Sequence, residues 1–149
     1  RYADLLLMAA EAWNEAEETP NEKVYDYLDQ VRERAGLEGI KETYAKYASV
    51  QYKDYPSHKS QMRDIIHRER QVELSCEGSY YWDTRRWKTA EKELNRIVQG
   101  WNVLNGETAE DYYIPTNIYN QQFTLRDYFA PIPDGDIIRN PQLVQNPWW

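Results

Sequence analysis

Residues Glu69–Trp87, ERQVELSCEGSYYWDTRRW, decide how the chain is read. Met62, Ile65, Ile66, Glu69, Val72, Glu73 and Cys76 recur at helical spacing, so a helix is expected over about residues 60–77. Gly78 stops it. A second helix is expected from Ser79 to about Asn95, opening on aromatics and arginines and turning Trp87, Ala90 and Leu94 inward. Two glutamates one turn apart inside an apolar stripe need partners, because an unpaired buried charge is costly. Arg85 and Arg86, just across the Gly78 turn, are the donors the sequence offers. Glu69, Arg70, Glu73, Glu77, Asp83, Arg85 and Arg86 are therefore expected to form a structural ion-pair network.

Upstream, Tyr2, Leu5, Leu6, Ala9, Trp13 and Ala16 make a helical stripe over about residues 1–17 that begins without a capping residue. A further part of the protein is expected ahead of it. Thr19-Pro20-Asn21-Glu22 starts the next helix, with Thr19 as cap, Pro20 in the first turn and Glu22 completing a capping box. Its stripe is Val24, Tyr27, Leu28, Val31 and Ala35, and Gly36 ends it. Two short-jointed antiparallel helices, with Ala10-Glu11-Ala12 in the first, read as one tetratricopeptide-type hairpin. Such a pair does not bury both its faces alone, so an exposed apolar surface is expected on both helices. An ordinary helical hairpin is the alternative.

From Glu38 to Lys59 the period fails, and a long connection with one short helix near residues 41–49 is expected. Tyr44, Tyr47, Tyr52 and Tyr55 in it could meet a ligand or pin the loop to the body, and pinning is the commoner case. Beyond Ile97, Val98–Leu104 and Asp111–Ile114 read as strands joined at Asn105-Gly106. Phe123–Phe129 looks extended. Pro131, Pro133, Pro141 and Pro147 limit the tail to a turn near Asp134–Ile138. Ile132, Ile137, Leu143, Trp148 and Trp149 are its expected anchors. No linker interrupts the chain, which reads as one unit, residues 1–149, mainly α with a short β-hairpin and a long irregular tail.

Composition narrows the function. The net charge of −7 argues against nucleic acid, which needs a basic face, and against a polybasic hold on an anionic membrane. No apolar run is long enough to span a bilayer. The single cysteine, Cys76, falls in phase with Ile65 and Val72 and reads as a small core residue. Against only 2 Phe stand 13 Tyr and 6 Trp, side chains that pair a flat apolar face with a hydrogen-bonding edge. Sugar rings suit such surfaces, but wet cores and protein interfaces favour the same residues.

Catalytic patterns are weak. Paired acids such as Glu69 and Glu73 could serve a glycosidase, but only if they flanked an open cleft with their carboxylates roughly 5–9 Å apart. A salt-bridge lattice is the preferred reading. His58 and His67 stand at no metal-ligand spacing and read as solvated, and no nucleophile elbow or phosphate loop is present. No metal, cofactor or enzyme activity is expected. Trp101, Tyr112, Tyr113, Tyr52 and Tyr55, outside the expected helices, are the candidate ligand-binding residues.

Three blocks, RYADLLLMAAEAWNEA, ERQVELSCEGSYYWDTRRW and APIPDGDIIRNPQLVQNPWW, keep order across nearly the whole chain. Together they resemble the C-terminal part of the SusD/RagB family, roughly its last third. The resemblance implies a SusD-like α-α superhelix with tetratricopeptide-like hairpins. It also implies an outward-facing outer-membrane lipoprotein of Bacteroidetes, its lipid anchor on the absent N-terminal part. Such proteins capture a glycan or other nutrient oligomer without cleaving it and pass it to a TonB-dependent, SusC-like transporter. The alternative is a helical scaffold that docks the transporter while the N-terminal part binds ligand. Relatives often close on Gln-Asn-Pro-Gly-aromatic. Here Trp148 follows Gln145-Asn146-Pro147, so a tight turn is not expected there. Ala9-Ala10 also replaces a larger residue of the family pattern.

Overall fold

In the computed structural model, which describes residues 1–104 and 106–149, the first helix is α1 (Tyr2–Ala16). It turns Leu6, Leu7 and Ala10 onto α2 (Glu22–Arg34), whose stripe Val24, Tyr25, Leu28 and Val31 is buried in return. This is the expected helical hairpin, with a correction at its joint. Asn21, not Thr19, caps α2, because its extended backbone lets the side chain accept from the Lys23 and Val24 amides at 3.0 and 3.3 Å. Gly36 ends α2 with φ 75°, as the Leu37 amide donates to the Arg32 carbonyl at 3.0 Å and the Gly36 amide to that of Glu33 at 2.9 Å. Tyr2, Leu5 and Met8 leave an apolar surface on α1, whereas the stripe of α2 is covered.

α4 (Lys59–Glu73) also packs on α1, and Met62, Ile65 and Ile66 close the core with Ile40 of α3 (Ile40–Tyr47). The connection between α2 and α4 is more helical than expected, adding 3₁₀ turns at Val50–Tyr52 and Tyr55–Ser57. Tyr44 and Tyr55 rest on the core, and the Tyr25 hydroxyl donates to the Pro56 carbonyl at 2.8 Å. α4 stops at Glu73 rather than near Glu77. Val72, although still within α4, is exposed, and so is Cys76 beyond its end, which is not the core residue expected. By Leu74 the chain has left helical phase, and Cys76 has a left-handed backbone of φ 65°.

The chain divides into two compact units, Arg1–Tyr80 and Tyr81–Trp149, the boundary falling in the first turn of α5 (Ser79–Arg86). The helix expected from Ser79 to Asn95 is two: α5 and α6 (Ala90–Leu94). Lys88 breaks it at φ 59°, where the Lys88 and Thr89 amides donate back to the carbonyls of Arg85 and Thr84. This is the glycine-type helix end made without glycine. Ala90 is buried, while Trp87 and Leu94 are half-buried.

β1 (Ile97–Trp101) pairs antiparallel with β2 (Pro115–Asn120). The expected second strand at Asp111–Ile114 is replaced by α7 (Ala109–Tyr112). Thr108 is the reason: its hydroxyl oxygen accepts from the Asp111 amide at 3.2 Å and donates to the Asp111 carboxylate at 2.7 Å, which nucleates a helical turn. Pairing passes to the next extended run. Of the expected Asn105-Gly106 turn, Asn105 lies outside the described residues. The ladder skips Ile118 between the pairs Val98–Tyr119 and Gln99–Asn117, which makes a bulge.

Phe123–Phe129 is not simply extended, since Leu125–Tyr128 forms a 3₁₀ turn closed by a capping box between Thr124 and Asp127. The Thr124 amide and hydroxyl donate to the Asp127 carboxylate and hold it below the usual carboxylate range. α8 (Asp134–Arg139) occupies the expected turn. The tail's apolar anchors are weaker than expected, with Leu143, Trp148 and Trp149 exposed. Gln145 holds the tail instead: it accepts from the Ile132 amide at 2.8 Å and donates to the Ile132 carbonyl at 2.9 Å. The tight turn at the end is kept despite Trp148. Trp148 takes φ 69° and the Trp149 amide donates to the Asn146 carbonyl at 3.3 Å. Among the described residues the chain is mainly helical with one small sheet.

Candidate functional site

In Tyr81–Trp149, Trp101 ends β1 and Tyr112 and Tyr113 end α7. The Asn102 amide donates to the Tyr112 carbonyl at 3.0 Å, and its side chain donates to the Asp111 carbonyl at 3.3 Å. Gly106 makes the approach possible. A Cβ there would stand 2.6 Å from the Tyr112 Cα and 2.7 Å from the Asn102 carbonyl oxygen. The three rings form an edge-to-face ladder. Trp101 and Tyr113 centroids lie 5.5 Å apart at 83°, and Tyr113 and Tyr112 centroids 5.2 Å apart at 86°. Edge-to-face packing matches positive ring edges to negative faces and fixes the rings relative to one another. Trp101 is nonetheless 51% exposed and Tyr113 62%.

Trp101 borders two hollows. One, of about 410 Å³, is lined by Gln99, Gly100, Trp101 and Pro115. The other, of about 370 Å³, runs from Trp101 through Asn102, Val103 and Leu104 to Thr116, Asn117 and Ile118. Gly100 leaves room for the bulged Ile118, whose Cδ1 would stand 2.4 Å from a Cβ there and would have to turn aside. Gln99 Nε2 donates to Asn117 Oδ1 at 2.9 Å, so amide dipoles stand beside an aromatic face. Flat ring plus fixed amides can hold a sugar through C–H stacking and hydroxyl hydrogen bonds. Gln99, Asn102 and Asn117 are functional candidates that the sequence reading missed. The only signal for the first was its place two residues before Trp101, on the same strand.

The remaining candidates lie in Arg1–Tyr80. Tyr52 and Tyr55 stack edge to face at 4.9 Å, with Tyr55 packed against the core and Tyr52 41% exposed. The acidic residues are also there, and their partners correct the sequence reading. Glu69 pairs with Arg32, which also donates to the Glu38 carbonyl and the Thr43 hydroxyl, each at 2.9 Å. Glu73 accepts from Arg34 at 2.8 Å and from Arg1 at 2.9 Å, and Arg1 also reaches Glu77 at 2.9 Å. Arg70 pairs with Asp4 at 2.6 Å. The donors to Glu69 and Glu73 are thus Arg32 and Arg34 of α2 and Arg1 just ahead of α1, in place of the Arg85 and Arg86 expected, because the hairpin packs its charged edge along α4. Arg86 pairs with Asp83 at 2.9 Å, while Arg85 lies 3.5 Å over the Tyr81 ring. Each of the two glutamates is committed to a guanidinium, the arrangement of an ion-pair lattice rather than of an acid and base flanking a cleft.

His67 is also corrected: it is mostly buried, 3.9 Å from Glu11, rather than solvated. Among the described residues no group of three or more His, Cys, Asp or Glu could hold a metal ion, and no helix is long and apolar enough to cross a membrane.

The SusD family model matches residues 1–149. The chain belongs to the SusD family. It is 32% identical over 146 residues to SusD-like protein P2 of Formosa agariphila, covering 98% of this chain and 24% of that protein. The solved SusD neighbours agree in fold. BT4246 superposes with a TM-score of 0.78 at 30% identity, over 100% of this chain and 23% of that one. A SusD-like carbohydrate binding protein from Bacteroides fragilis gives a TM-score of 0.70 at 25% identity, over 95% of this chain and 27% of that one. The chain therefore spans about a quarter of the length of these SusD relatives.

Proposed function

We propose that residues 1–149 form the C-terminal part of a SusD-type nutrient-capture protein, and that the Trp101–Tyr113–Tyr112 ladder contacts its glycan. The ladder carries this reading, since three rings locked edge to face and two flanking hollows are what a sugar-stacking surface needs. That the B. fragilis relative is named a carbohydrate binding protein supports it. The action is capture and hand-over without bond cleavage. The place is the outward face of the outer membrane, by way of a lipid anchor outside these residues. The receiver is a TonB-dependent, SusC-like transporter.

A second reading gives this stretch to the transporter contact and leaves ligand to the rest of the protein. It is favoured by the apolar side chains bared along the β1–β2 ribbon: Ile97, Ile118 and Tyr119 are all exposed.

Calorimetry of the chain against an oligosaccharide panel separates the two. Under the first reading one glycan class binds saturably, and Trp101→Ala weakens it by about tenfold or more. Binding that Trp101→Ala leaves unchanged overturns it.

A further inference from the structure

Charge around the ladder is one-sided. From residue 97 to residue 125 there is no Lys or Arg, whereas Glu107, Glu110 and Asp111 all fall within that stretch. All three acids are exposed. Asp111 is turned back to the Thr108 hydroxyl, but Glu107 and Glu110 have no ion-pair partner among the described residues. Glu110 lies three residues before Tyr113, so the two share a face of the α7 turn. Three cations of the same unit lie over other rings: Arg85 3.5 Å over Tyr81, Lys88 4.3 Å over Tyr128 and Arg126 4.7 Å over Trp149.

A sulfated or uronate-bearing glycan needs the opposite arrangement. Sulfate and carboxylate lose hydration on binding, and a guanidinium or ammonium within hydrogen-bonding reach ordinarily replaces it. Here an anion held at Trp101 would meet amides and aromatic faces, with Glu110 on the α7 turn that carries Tyr112 and Glu107 next to Gly106, which packs on Tyr112. The Gln99 and Asn117 amides suit hydroxyl groups, which both donate and accept. We infer that the Trp101–Tyr113–Tyr112 surface selects uncharged glycans over sulfated and uronate-bearing ones, and that Glu107 and Glu110 enforce the exclusion. This rests on the ladder being a glycan site.

The test sets neutral hexasaccharides of glucose, galactose, mannose and xylose against the chemically sulfated form of each, bound to the full 149-residue chain at low salt. Circular dichroism checks that every variant is folded. The expected result is that a neutral member binds at least about tenfold more tightly than its sulfated form. Added salt should narrow the gap by screening the repulsion. The double variant Glu107→Lys/Glu110→Lys should close most of it without weakening the neutral ligand, and Trp101→Ala should abolish binding of both. A sulfated glycan that binds as tightly as its neutral form, and is lost on Trp101→Ala, overturns the selectivity and leaves the glycan site standing. Binding that Trp101→Ala does not change, or no binding by the folded chain, overturns the site and the selectivity with it.

Discussion

The two units of this chain are held together differently. In Arg1–Tyr80, side chains from four helices converge: Leu7, Val24, Leu28, Ile40, Met62 and Ile66 are almost wholly excluded from solvent. In Tyr81–Trp149, Ala90 and Phe123 are the only buried apolar residues among those described. Amide side chains do much of the holding there. Asn95 accepts from the Phe123 amide at 2.6 Å and donates to the Phe123 carbonyl at 3.0 Å, as Gln145 does for Ile132. Asn146 donates to the Ala130 carbonyl at 2.6 Å, and the Trp149 indole to that of Phe129 at 2.9 Å. A carboxamide that satisfies both backbone groups of one residue imitates a ladder partner. It can fix an irregular chain without apolar cover, and that leaves the aromatic rings of this unit at the surface.

The strongest way to break this contrast is to cut into the apolar core. Leu28→Ala removes a fully buried side chain and is expected to destabilise the chain by about 3–5 kcal/mol. Guanidinium denaturation followed by helical circular dichroism reads it. A cost below about 1 kcal/mol would mean that the first unit does not depend on its core as described.

Next comes the ion pair between Arg32 and Glu69, at the edge of that core. Arg32 is 8% exposed and stays charged when its partner is removed. Glu69→Gln keeps the shape and strips the charge, and about 2 kcal/mol of stability should go with it, less than for a fully buried pair because Glu69 is partly solvated. Arg85→Ala should cost less, since Arg85 is not the donor to Glu69. The reverse order of the two effects would restore the partner assignment suggested by the sequence.

In the second unit, Gln145→Ala removes the clamp on Ile132 together with the bond from the Asn146 amide. Each such bond is worth about 0.5–1.5 kcal/mol net, and the freed backbone groups of this half-exposed tail regain water, so a loss at the low end of the sum for three bonds, about 1.5–2 kcal/mol, is expected, confined to the tail. Hydrogen exchange at the Ile132 and Asn146 amides should quicken by about tenfold or more while that of Leu28 is unchanged. Unchanged exchange at Ile132 would show that something other than the amide clamp holds the tail.

What the sequence disclosed follows the same division. The hairpin, α4 and the Gly36 stop were legible because apolar residues recur with the helical period and glycine marks the end. Cys76 was misread because that period says nothing about where a helix stops. The strand expected at Asp111–Ile114 was a capped turn, because Thr108 and Asp111 compete locally with a ladder whose partner lies far along the chain. The donors to Glu69 and Glu73 were missed because residues 1, 32 and 34 reach them only once the helices pack. At the candidate site, Trp101, Tyr112 and Tyr113 were named from residue type and position. That they form one ladder, and that Gln99 and Asn117 stand beside it, depends on the register of β1 and β2, which a bulge at Ile118 resets.

The smallest effect tests whether the amide-held tail carries strain. Trp148 sits at φ 69°, one residue after Pro147, in a turn closed by the Trp149 amide on the Asn146 carbonyl. This is the proline-then-left-handed pattern in which glycine is the favoured third residue. A side chain there costs about 1 kcal/mol, because Cβ crowds the neighbouring carbonyl oxygen. The Trp148 ring offsets part of that by lying 6.2 Å from Phe129 at 37°, but it is 59% exposed and gains little from burial. Trp148→Ala and Trp148→Gly both lose the ring contact, and only the glycine also loses the strain. The glycine variant should therefore be more stable than the alanine variant by about 1 kcal/mol at most, since glycine also gives the unfolded chain more freedom. Hydrogen exchange at Trp149 and denaturation midpoints read the difference. An alanine variant as stable as the glycine one would mean that the turn relaxes once the indole is gone, and that the left-handed backbone is set by the Trp148–Phe129 contact rather than by the chain around it.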